Sequence, residues 1–380
     1  MANVFRAPIQ QEERILGGEE DKRPRTRVGY LVPEAYSCYE AALGETGAAA
    51  SGRALHFAAD LVCSGGLDIW IRGAYSYAMQ HIGLANPRIF VYLRQRISEL
   101  DKRLEQLPNE SFYAHPHVQS AIAEVVLVIQ LCPKKSKIVW PKVDPSTKRP
   151  GWLRGVASAP ETKATRAVWV SDGDTPPLYL VANEICKAIA EGATEKALFW
   201  IRWTLEEDAR IRKETKGHGL STTERGSESS SKTRSEAGHF IAALLLEIYR
   251  DLATKNLIRM TEEFNELVRL WKAGEHRMAA RFRKECLGLM TLVCSEVPKW
   301  KVPAAPTLVA DPLRLSRAVG QSHSFFNEVL SHRALAITLK TNMMKAPRQK
   351  RKLNEKDKKE MSMEEHFDAY DAAMEAYLNR

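Results

Sequence analysis

Apolar residues recur along this chain every three or four positions, the spacing of helices that bury one face. The pattern opens at Pro33-Glu34, and Tyr36, Tyr39 and Ala42 follow at helical intervals. In residues 53–63, Leu55, Ala58, Ala59 and Val62 share a face, and Gly65-Gly66 supplies the stop. A helix over 67–82 is halted by Gly83 and Asn86-Pro87, and Pro87 suits the first turn of another over 87–107. There Ile89, Leu93, Ile97, Leu100 and Leu104 make an apolar stripe opposite Arg94, Arg96, Lys102 and Arg103. A more evenly apolar helix covers 116–132. Further helices are expected over 176–191, 194–213, 236–254, 258–273 and 275–296, and a last helical region across 313–343. The expected fold class is all-α.

Other stretches interrupt this rhythm. Residues 1–30 are polar, close in a basic run at 22–27, and read as a flexible basic arm. From 133 to 166, Lys134, Lys135, Lys137, Lys142, Lys148, Arg149, Arg154, Lys163 and Arg166 face only Asp144 and Glu161, with Trp140 and Trp152 interleaved. Residues 144–174 therefore read as an extended, basic, proline-rich connector between a first helical module (31–143) and a second (175–312). Within the second, 214–235 is polar and of low complexity, and disorder is expected there. A helical region (313–344), a basic linker (345–360) and an acidic amphipathic helix (361–380) complete the expected organisation.

The two modules look alike. Ala54-Leu55-His56-Phe57 opens the first set and Ala197-Leu198-Phe199-Trp200 the second. Each set ends in an apolar helix running into Pro, Lys and Trp, so that Glu124 aligns with Glu285 and Leu131 with Leu292. Either an internal duplication or the convergence of two buried helices accounts for this. Residues 54–87, ending in Ile82-Gly83-Leu84-Ala85-Asn86-Pro87, also resemble the helical C-terminal part of the MgsA/RarA-type replication-associated ATPases, relatives of the clamp loaders. That family carries Ile-Gly-Leu-Ala-Asp-Pro at the corresponding place. Its later apolar helix, which runs into Ala-Pro-Lys-Ser, is similar to Leu131-Cys132-Pro133-Lys134-Lys135-Ser136. The resemblance implies a collar-like helical module of a ring that works on DNA. The family's nucleotide-binding domain has no counterpart in the roughly 50 residues before the module, fewer than a domain needs. Truncated proteins of this kind resemble replication-associated proteins of large DNA viruses.

Charge and candidate chemistry sharpen the picture. The 380 residues carry a formal net charge of +9 with a pI near 9.2, a balance that favours polyanion partners. Six cysteines without a C-x-x-C pair read as reduced thiols of an intracellular protein. The first residues lack the apolar core of a signal peptide, and no uninterrupted apolar stretch is long enough for a bilayer. Gly47 to Ala54 is the nearest approach to a phosphate loop, but Arg53 stands where Lys is needed, and a loop capping the next helix is the simpler reading. His115-Pro116-His117 reads as a proline helix start, Glu206-Glu207-Asp208 as a solvated helix end, and Cys286 with Cys294 as core. No catalytic residue, cofactor or metal is expected.

The basic clusters carry the functional expectation. Lys134, Lys135, Lys137, Lys142, Arg149 and Arg154 are candidate phosphate contacts, with Trp140 stacking on unpaired bases. The competing reading is a solvated connector whose tryptophans tuck into the adjacent core. Lys350, Arg351 and Lys352 form a basic tail suited to nuclear import or nucleic-acid contact. Phe367, Tyr370, Met374 and Tyr377 share a face of the last segment and are candidate partner contacts. The expectation is a non-catalytic, DNA-associated replication or repair accessory in a nucleus or viral replication compartment. It would work with protein partners or as a homo-oligomer and bind DNA in preference to RNA. The alternative is a viral structural or scaffold protein that uses the same charges for assembly.

Overall fold

The computed structural model describes residues 24–107, 112–135, 137–148, 151–226, 230–258, 261–273, 283–296 and 308–332. They form helices, with no strand among the described residues beyond two isolated bridges. The first set is α1 (Val32–Gly44), α2 (Ala48–Cys63), α3 (Leu67–Tyr77), α4 (Arg88–Gln106) and α5 (Pro116–Leu131). Two short helices follow, α6 (Trp152–Val156) and α7 (Lys163–Val168). The second set is α8 (Pro176–Ala190), α9 (Thr194–Thr215), α10 (Ser231–Arg234), α11 (Ala237–Thr254), α12 (Thr261–Ala273) and α13 (Arg283–Ser295). The last two are α14 (Pro312–Gly320) and α15 (His323–Ser331). No described helix is long and apolar enough to cross a membrane.

The helix starts follow local chemistry. Proline occupies the first turn of α1, α5, α8 and α14, where its missing N–H costs nothing. Thr162 Oγ1 accepts from Thr165 N at 3.1 Å to cap α7, and Asp311 Oδ1 accepts from Arg314 N at 2.9 Å to cap α14. The stripe read on α4, Ile89, Leu93, Ile97, Leu100 and Leu104, is buried as expected, and Phe90 is buried beside it.

The two sets share part of one packing pattern, but α11 also packs closely on α13, whereas α3 makes no comparable contact with α5. In the first, α1 packs on α2, α3 and α5, α2 on α3 and α5, and α4 on α3 and α5. In the second, α8 packs on α9, α11 and α13, α9 on α11 and α13, and α12 on α11 and α13. α4 and α12 pack against each other where the sets meet. Arg94 pairs there with Glu266 at 2.7 Å, and the Glu266 side chain is only 3% exposed. An arginine read as solvent-facing thus crosses to the other set. α13 also packs on the π-helical turn Ala78–Ile82 that extends α3.

Five expectations need correction. Residues 24–30 are not a loose arm: Arg27 donates through Nε to His332 O (2.9 Å) and through Nη2 to Leu330 O (3.2 Å), tying the segment to the end of α15. Gly47 to Ala54 is not a loop, because Ala48 onward is already α2. The 144–174 connector is not simply extended, since α6 and α7 form within it and pack on α8. The described parts of 214–235 are ordered by polar contacts and by Leu220, which is buried in the core. Asp174 is buried and accepts from Arg225 Nη1 (2.9 Å) and Ser221 Oγ (2.6 Å). Thr222 N donates to Gly173 O at 2.7 Å. Asp208, read as part of a solvated end, is buried and accepts from Leu220 N (2.7 Å) and Arg212 Nε (2.7 Å).

Candidate functional site

The basic stretch after α5 is a strap laid across both helical sets. It begins at Lys134, whose ammonium donates to Ile129 O (2.8 Å), Gln130 O (2.7 Å) and Cys132 O (3.1 Å). Those carbonyls have no partner inside the helix, so a cation at the helix C-terminus satisfies them and complements the dipole. Lys134, expected to neutralise a phosphate, thus closes α5.

The next backbone amide, Lys135 N, donates to His81 O at 2.7 Å and joins the strap to the π-helical turn. The His81 ring stacks on Tyr77 with centroids 4.4 Å apart. Burial, then the Lys137 and Lys134 charges, lower the His81 pKa to about 4.

Beyond this anchor the strap is extended without a strand partner, so its side chains alternate in direction. Ile138 and Trp140 turn inward and are half-buried; Lys137 and Val139 turn outward, Val139 being 84% exposed. Trp140 Nε1 donates to Glu285 Oε1 and Oε2 at 3.1 and 3.2 Å. Its ring lies over Gly288, where an added Cβ would come within 2.9 Å of it and 2.8 Å of Ile138 Cδ1. The absent side chain at Gly288 is what lets the strap lie flat on α13. Burial raises the Glu285 pKa, while the Trp140 hydrogen bond and the charges of Lys284 and Lys137 work against that rise.

Further along, Arg202 Nη1 donates to Pro141 O (3.1 Å) and Trp203 Nε1 to Thr147 O (3.3 Å), so α9 holds the middle of the strap. Trp152 packs on Trp200 and Trp203, with centroids 5.8 and 6.2 Å away. Both interleaved tryptophans are partly buried and pack against the core. The competing reading, tryptophans tucked into the core, describes their places.

Lys135, Lys137, Lys142 and Arg154 remain outward and exposed, with no ion pair among the described residues. Asp144 is drawn into a local turn, accepting from Ser146 N at 2.7 Å. Arg166, in contrast, pairs with Glu161 at 2.7 Å. Arg149, Lys350, Arg351, Lys352, Phe367, Tyr370, Met374 and Tyr377 lie outside the described residues.

Among the described residues no group of three or more His, Cys, Asp or Glu could hold a metal ion. Burial pushes the Cys63 and Cys286 thiols up to about 12 and Cys132 up to about 11, which keeps them protonated and poorly nucleophilic at neutral pH. Sequence reading missed His81, whose only signal is its place before Ile82-Gly83, and the Asp174–Arg225 pair, whose partners are 51 residues apart. No protein-family model, curated protein or solved structure matches the chain.

Proposed function

We propose that this chain is a non-catalytic DNA-associated accessory protein that holds a duplex backbone along the outer edge of the strap. The observation that carries the reading is the sorting of the strap's side chains. Lys134 and Trp140 are consumed in fixing it to the helices, and Lys135, Lys137, Lys142 and Arg154 point outward. A row of cations on a pinned backbone suits phosphates, whose contacts position a nucleic acid without reading its sequence. Single strands are held largely by aromatic stacking, and with Trp140 and Trp152 packed inward the strap favours a duplex. The resemblance of 54–87 and 131–136 to the collar-like module of clamp-loader-related ATPases points to the same setting, replication or repair on DNA.

The test is affinity for duplex and single-stranded DNA as a function of salt. Four phosphate contacts give a log–log slope of about −3 to −4 on duplex. A slope near zero, or no binding at low salt, overturns the reading. A steeper dependence and tighter binding on single strands would overturn the duplex preference.

A further inference from the structure

On the second helical set, away from the strap, α11, α12 and α13 border a cavity of about 440 Å³ that is partly open to solvent. Ala242, Ala243 and Leu246 of α11, Val268 of α12 and Met290 of α13 give it apolar walls. The helices around it are fixed by contacts of their own. At Gly238 an added Cβ would lie 3.0 Å from Trp271 Cη2, so α11 and α12 already touch one turn before Ala242. The Trp271 indole is held in turn, its Nε1 donating to His239 Nδ1 at 3.1 Å and the Arg283 guanidinium lying 4.6 Å from its ring centroid. The space is thus preformed, and its volume falls within the roughly 300–1,000 Å³ range of ligand pockets.

Polar side chains also reach the cavity, but each is engaged within the chain. Arg225 Nη1 donates to Asp174 Oδ1 at 2.9 Å and to Ser221 Oγ at 3.1 Å. Its Nη2 donates to Val168 O at 3.0 Å and to the second Asp174 oxygen, so a buried carboxylate already matches the guanidinium charge. His239 is committed to Trp271 and Arg283, Lys272 has a contact of its own, and the Gly226 amide donates to Arg234 O at 3.0 Å. Such a lining discriminates between classes of ligand. An ionised group entering here would give up its hydration without gaining a free partner, a cost that apolar walls do not return. Water in the cavity is equally short of partners, so an apolar body that displaces it gains. Met290 and Trp271 add a thioether and an indole, both of which pack well on an aromatic ring.

We propose that this cavity binds a small neutral molecule with a largely hydrocarbon, aromatic body, lodged among Ala243, Leu246, Val268 and Met290. The site is separate from the strap and does not depend on the DNA reading.

The experiment titrates the full chain with the neutral dye N-phenyl-1-naphthylamine, following fluorescence, and with the related anion 1-anilinonaphthalene-8-sulfonate for comparison. One equivalent of the neutral dye is expected to bind, at least about tenfold tighter than the anion. Ala243→Phe and Val268→Phe each fill part of the cavity from a different helix. Each is expected to lower the affinity for the neutral dye by about tenfold or more while keeping the helical circular dichroism and melting temperature. The proposal is overturned by absence of binding, by an anion that binds as tightly or more tightly, or by unchanged binding in the folded variants. Should neither variant fold, hydrogen exchange of the unaltered chain with the neutral dye decides. Protection confined to peptides from 237–246, 261–273 and 283–296 supports the site, and protection elsewhere overturns it. Stronger binding in Met278→Ala or Phe282→Ala would assign the cavity to the chain's own 274–282 segment, and that too overturns the proposal.

Discussion

The indole Nε1 of Trp140 donates to both carboxylate oxygens of Glu285, across 145 residues of sequence. One bond of this kind decides what the strap can do. It turns the aromatic ring toward α13 and, through the alternation of an extended chain, turns Lys137 and Val139 to solvent. The strap is therefore an edge of cations and not a stacking platform.

Glu285 gives this contact a pH signature. Burial raises its pKa in the folded chain, so folding is favoured by this group below the ordinary carboxylate range. That contribution is lost as pH rises through the raised value. Glu285→Gln keeps an acceptor for the indole and removes the buried charge. Its stability relative to the unaltered chain should improve from pH 4 to pH 7 in urea titrations. A difference that stays flat with pH contradicts the assignment.

Gly288→Ala places a methyl group against Trp140 and Ile138, both of which must shift to admit it. A loss of about 1–3 kcal/mol is expected, the usual cost of overpacking a filled contact. Hydrogen exchange should rise in 137–148 more than in α4 or α5.

Lys134 and Lys137 are separable although three residues apart. Lys137→Ala should flatten the log–log salt dependence of duplex binding by about 0.9, one phosphate contact. Lys134→Ala should leave that slope alone and instead destabilise the chain, because three carbonyls at the end of α5 lose their donor. Equal effects of the two substitutions on the slope would contradict the sorting of the strap.

Asp174→Asn leaves the Arg225 guanidinium without its countercharge in a site where the aspartate side chain is 0% exposed. Breaking a buried pair from one side costs about 3–5 kcal/mol, and a matching drop in stability is expected by thermal or urea unfolding. The loss should be accompanied by increased exchange in 219–226, the stretch that this pair holds against the 168–175 turn.

His81 should titrate near 4 by NMR, well below an ordinary imidazole. Its neutral form contributes stability above about pH 6.5, and that contribution is lost as pH falls toward 4. Lys137→Met removes one of the charges that lower it, so the His81 pKa should move upward in that variant. A titration left unchanged would place the Lys137 ammonium away from the ring.

Much of the architecture is legible from periodicity. The stripe of Ile89, Leu93, Ile97, Leu100 and Leu104 marks α4, and Pro33 and Pro116 mark helix starts because local geometry alone favours them there. The likeness of the two halves is visible in Glu124 and Glu285, and the packing of α4 on α12 shows where the halves meet. The strap was legible as a cluster of charge, but not which charges it would spend on its own fold. Low-complexity composition around Arg225 hid an ordered segment, because buried polar contacts to Asp174 and Asp208 add there to the burial of a single apolar side chain, Leu220.

The sequence by itself determined that this chain is helical and basic, because helical periodicity and net charge are local, additive properties. Only the tertiary structure decided that Lys134 closes a helix, that Trp140 faces Glu285, and that Ala242 and Ala243 leave a cavity. Each depends on where distant residues converge, and burial and hydrogen bonding assign a side chain its task only once those neighbours are in place.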